Sequence, residues 1–127
     1  MNTYFINDEK LKNSDFYRKF MENHPGKGNL KIHAYAASEA LPVSGLHIVV
    51  STNIDNNKVI FFDGVTDSSG MIQTLSLPTP SLEISNLEVP VGTIYYIETD
   101  NITYSVNLYD GICVVQNINT ILGGNNG

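Results

Sequence analysis

The chain has one cysteine, no tryptophan and few charges among its 127 residues. A single cysteine, Cys113, excludes an internal disulfide and a cysteine-based metal site. It stands in the apolar run 112–115, where a buried structural thiol is expected rather than a nucleophile. Only 16% of residues are charged, and seven Lys and Arg against thirteen Asp and Glu leave a net charge of −6. Phosphate backbones are bound by clustered Lys and Arg, so no direct nucleic-acid binding is expected. The carboxylates are scattered rather than massed, which reads as a solubilising surface. No stretch approaches the length needed to span a bilayer, and the N-terminus lacks a basic region leading into an apolar run. The expectation is a cytoplasmic protein without signal peptide or membrane insertion. There is no Gly-x-Ser-x-Gly elbow, phosphate-binding loop, HExxH or Cys–His pairing, so neither an enzyme nor a cofactor is expected.

What is present is a globular composition. Hydrophobic residues make up 42% of the chain, with seven tyrosines and five phenylalanines. That suffices for one domain with a modest core. Residues 6–23 carry the helical signal, because Phe16, Tyr17, Phe20 and Met21 form a narrow apolar stripe. Ser14 or Asn13 is placed to cap it, Asp15 complements the helix dipole, and His24-Pro25 ends it. Such a helix either packs on the rest of the domain or leaves it to dock on another subunit or protein.

From Gly28 onward the period changes to that of strands. Residues 29–36 alternate, with Leu30, Ile32, Ala34 and Ala36 on one face and Lys31, His33 and Tyr35 on the other. Further strands are predicted at 46–52, 58–66, 71–77, 92–99, 102–108 and 111–121. Turns are placed at 54–57, at Asp100-Asn101 and at Asp110-Gly111. The segment 79–91, with prolines at 78, 80 and 90, reads as an edge strand or crossover. The expected architecture is all-β: a seven-stranded antiparallel Greek-key β-sandwich with a short N-terminal helix. Its expected parts are a helical arm over 1–27, the sandwich over 28–122 and a flexible tail over 123–127.

Few residues offer chemistry. His33 and His47 fall outward on strands predicted to be neighbours, with Asp55 or Asp63 nearby, but no third ligand stands at a meaningful spacing, so no metal is expected. The segment 63–70 lacks the oxygen positions and closing Glu of an EF-hand. It reads as a structural turn in which Asp67 accepts backbone amides ahead of it and Gly70 supplies a positive φ. The aromatics are better candidates for a partner surface: Phe16, Tyr17 and Phe20 on the helix, Tyr35 on the first strand, and Tyr95, Tyr96, Tyr104 and Tyr109 on the C-terminal strands.

Three stretches form a series. Leu30-Lys31-Ile32 opens a strand, Leu41-Pro42-Val43-Ser44-Gly45-Leu46 precedes the second, and Thr66-Asp67-Ser68-Ser69-Gly70 precedes the fourth. Over residues 28–80 the series resembles the carboxypeptidase-regulatory-like and transthyretin-like (prealbumin-like) β-sandwich modules. The 77–80 ending resembles modules of Firmicutes type. The resemblance implies an accessory or binding module rather than a catalyst. The functional expectation is a non-catalytic interaction or assembly module with a protein, cell-wall or polysaccharide partner. The alternative is a prophage or mobile-element protein, either a virion component or a small acidic inhibitor of a host nucleic-acid enzyme. A place in a spore or phage assembly and homo-oligomerisation both stay open.

Overall fold

The structure is a computed structural model that describes residues 2–36, 41–82 and 91–120. In chain order the elements are β1 (Thr3–Phe5), α1 (Glu9–Lys12), α2 (Asp15–Asn23), β2 (Gly26–Ala36), β3 (Leu41–Pro42), β4 (His47–Ile54), β5 (Asn57–Val65), β6 (Leu75–Thr79), β7 (Thr93–Glu98), β8 (Thr103–Leu108) and β9 (Cys113–Asn119). One sheet runs β1-β5-β4-β7-β8. In the other, β2 pairs β6 and then β3 along one side and β9 along the other. The expectation of seven antiparallel strands is thus corrected to nine described strands. Two pairings are parallel, β1 with β5 and β9 with β2. Strands as short as β1 and β3 show no readable period, and pairing direction leaves no mark on a strand's own alternation.

The core lies between the two sheets. Along β2 every second residue from Gly26 to Ala36 is buried. Leu30, Ile32 and Ala34 meet Ile48 and Val50 of β4, Tyr95 and Ile97 of β7, Leu108 of β8 and Ile118 of β9. Strand β6 begins and ends later than the predicted 71–77. Met71 makes only an isolated bridge to His33, and Pro78 sits inside β6 opposite Lys27. Proline is tolerated there because β6 is an edge strand, where a missing N–H costs no ladder bond.

A bulge governs the other sheet. Register shifts between Val50 and Ser51, so that Val50 faces Phe62 and Ser51 faces Ile60. The extra residue is Phe61, and it resets the alternation of β5. Phe62 and Phe61 therefore both pack on the core, and Val59 also turns inward. Phe61 makes an edge-on contact with Tyr95, ring centroids 5.6 Å apart.

The expected single helix over 6–23 is two helices. Ser14 breaks it, because its hydroxyl accepts from the Tyr17 amide and caps α2. Leu11 of α1 is buried with Ile54 and Val59, and Tyr4, Phe16, Tyr17, Phe20 and Phe61 pack around them. The face of β4 that gives Ile48 and Val50 to the main core thus gives Ile54 to a second cluster under the helices.

The loop after β5 is tied by side chains. Thr66 Oγ1 accepts from the Leu46 amide and donates to the Val43 carbonyl. Asp67 Oδ1 accepts from the amides of Ser69 and Met71, and Gly70 has φ 77°.

Candidate functional site: a cleft between two strands and a helix end

The aromatic candidates do not gather into one patch. Tyr95 is fully buried, and its hydroxyl donates to the Pro78 carbonyl across the sandwich, so its place as a partner-binding residue is corrected to the core. Tyr104 leans on the same core. Phe16, Tyr17 and Phe20 are half-buried against their own domain. Tyr35 stays half-exposed on the outer face of β2, its hydroxyl on His33 Nδ1. Tyr96 is half-buried on the opposite sheet, and Tyr109 is half-buried in the β8–β9 loop.

The histidines are also separated. His33 belongs to β2 and His47 to β4, which lie in different sheets, so they do not share a face. His33 Nε2 meets the Ser69 carbonyl, which can only accept, leaving Nδ1 of the neutral ring to accept from Tyr35. His47 Nε2 pairs with Asp63 Oδ1 at 2.6 Å. Among the described residues no three of His, Cys, Asp or Glu are grouped to hold a metal ion. Cys113 is exposed rather than buried. The inward positions of β9 are Val114, Gln116 and Ile118, opposite the buried side of β2, and Cys113 falls on the outer parity opposite Asn29.

The structure adds a site that the sequence reading missed. β4 and β7 pair only over Val49–Ser51 and Tyr96–Glu98. Beyond that point the strands part. Thr52 Oγ1 spans the opening to the Ile94 carbonyl at 2.7 Å, in place of a further ladder bond. The opening is a cleft of about 440 Å³ between the end of β4, the start of β7 and the end of α2. Asn53 and Asp55 stand on one wall, Thr93, Ile94 and Tyr96 on another, and Phe20 and His24 close it.

Its electrostatics are one-sided. Among the described residues Asp55 is the sole acidic residue lining the cleft, and no Lys or Arg lines it. Burial pushes the His24 imidazole below its ordinary value, outweighing the opposite effect of its hydrogen bond to the Phe20 carbonyl. The His24 ring stacks on Phe20 with centroids 3.8 Å apart. Thr93 is 8% exposed, and its hydroxyl finds no hydrogen-bond partner among the described residues. No local period signals a place where two sequence-distant strands diverge; the only trace was Asp55, which read as a turn residue and does adopt φ 50°.

The sequence matches no protein-family model and no curated protein. Among solved structures the chain is similar to transthyretin from Sparus aurata, with 16% identity, 72% of this chain and 90% of that chain covered, and a TM-score of 0.41.

Proposed function

We propose that this β-sandwich is a non-catalytic interaction module that takes a protein partner by strand addition along its β8–β9 side. The reading rests on one observation, the unequal protection of the sheet edges. Natural sandwiches blunt their edges with proline, charge, bulges or very short strands. β1 has three residues, β3 has two including Pro42, and β6 carries Pro78. β8 (TYSVNL) and β9 (CVVQNIN) have neither proline nor charge. The two edges also approach each other where the sheets meet. Val115 on β9 is 57% exposed, and Ile102 and Ile112 flank the two strands in the open. An extended segment added there gains main-chain hydrogen bonds, with alternate side chains setting specificity.

The test compares the full chain with Val115→Lys and Asn117→Lys, which charge the outer face of β9 without entering the core. Sedimentation velocity over a wide concentration range reads self-pairing, and capture by the immobilised chain reads a second protein. Both variants are expected to melt as the parent does and to lose association in whichever assay the parent shows it. Equal association by parent and both variants would refute the strand-addition reading.

A further inference from the structure

We propose that the cleft between β4, β7 and the end of α2 binds an alkylammonium group of the kind a lysine side chain carries. This goes beyond the strand-addition reading, since the cleft uses neither β8 nor β9, and each proposal stands or falls alone.

Charge selects the class of ligand. The Asp55 carboxylate has no ion-pair or hydrogen-bond partner among the described residues. His24, held neutral near pH 7 by burial, adds no compensating positive charge. Lys58, on the outer face of the same sheet, is already held by Glu98 at 2.6 Å. An anionic ligand would meet only repulsion, and a single carboxylate is too few oxygens for a hard cation. A monovalent nitrogen cation balances the site.

The remaining walls fit such a group. The tetrahedral ammonium has three donors and no acceptor. Asn53 brings a side-chain carbonyl oxygen that can accept a further hydrogen bond from the ammonium. Ile54 and Ile94 line the cleft with aliphatic surface for the methylene stem, and Tyr96, half-buried and free of any ring–ring contact among the described residues, contributes an aromatic wall. Aromatic surface beside a carboxylate is the usual chemistry of ammonium recognition.

The experiment is a titration of the isotope-labelled full chain by two-dimensional amide NMR with Nα-acetyl-lysine methylamide and, as a neutral match, its Nε-acetylated form. The lysine probe is expected to move the amides of Asn53, Asp55 and Ile94 and to saturate, with an affinity on the order of millimolar. The acetylated probe is expected to leave them in place. Asp55→Asn, which suits the positive φ at that position, is expected to weaken binding by about tenfold. Folding of the variant is read from the same spectra. Absence of movement with the lysine probe, equal binding of the acetylated probe, or undiminished binding by Asp55→Asn would each overturn the proposal. So would glucose moving the same amides as strongly, which would make the cleft a polyol site.

Discussion

The Tyr95 hydroxyl donates to the Pro78 carbonyl at 2.6 Å, tying β7 of one sheet to β6 of the other through the interior. Tyr95 is fully buried, so the carbonyl has no water to turn to if the phenol is lost. Tyr95→Phe keeps the ring and its contact with Phe61 and leaves the carbonyl unpaired. A loss of about 1–3 kcal/mol is expected in urea unfolding. Burial also pushes the Tyr95 phenol well above its usual 10.0. The folded state therefore favours the neutral form, and its advantage is complete below pH 10 and is lost as pH rises through the folded value. The phenylalanine variant should lack that alkaline loss, which melts between pH 8 and 11 will show.

Gly70→Val should be among the most damaging single changes. Gly70 has φ 77°, and a Cβ there would lie 2.5 Å from the Ala34 carbonyl oxygen. Backbone strain and a clash with backbone act together, for an expected loss of at least about 2–4 kcal/mol. Asp67→Ala removes two acceptor contacts in the same turn and should cost less, about 1–2 kcal/mol. If thermal melts place Gly70→Val level with the parent, the turn does not constrain the fold.

His24 gives the domain an acid-side dependence. Its folded value is lowered by burial, so the unfolded chain binds its proton more readily. The contribution is complete above the ordinary value of 6.5 and is lost as pH falls through the lowered folded value. His24→Gln should flatten the parent's stability slope below pH 6.5 in a series of urea titrations. An unchanged slope would assign the dependence to other groups.

Lys58 reaches over the outer face of β4 to Glu98, 2.6 Å away, with both side chains about a third exposed. Partial exposure screens the pair. A double-mutant cycle with Lys58→Met and Glu98→Gln should give a coupling of about 0.5–1 kcal/mol, shrinking in high salt. A coupling that persists in 1 M salt would mean that the pair is effectively buried.

The sidedness of single strands was the most legible part of the fold. The alternation of β2 is present in the residues themselves, as is the turn at Asp55-Asn56. In β7 Ile94 and Tyr96 fall on one face and Tyr95 on the other, buried one, and grouping the tyrosines by type concealed it. The bulge at Phe61 was hidden because an apolar run such as Val59–Phe62 looks the same whether or not it is regular. The separation of His33 from His47 depends on which sheet each strand joins, and no local pattern encodes that. The cleft was invisible for the same reason, since it exists only where pairing between β4 and β7 stops.

The parallel pairing of β9 with β2 has a consequence for biosynthesis. Asn29 lies opposite Cys113 and Tyr35 opposite Asn119, so one side of the central core strand must wait until residues 113–119 have left the ribosome. Until then Leu30, Ile32 and Ala34 lie on a strand with one open edge. Contacts of such long sequence separation form late and slowly. Residues 113–119 therefore close the four-stranded sheet, and a chain stalled before residue 113 would leave one edge of β2 unpaired beside Leu30, Ile32 and Ala34.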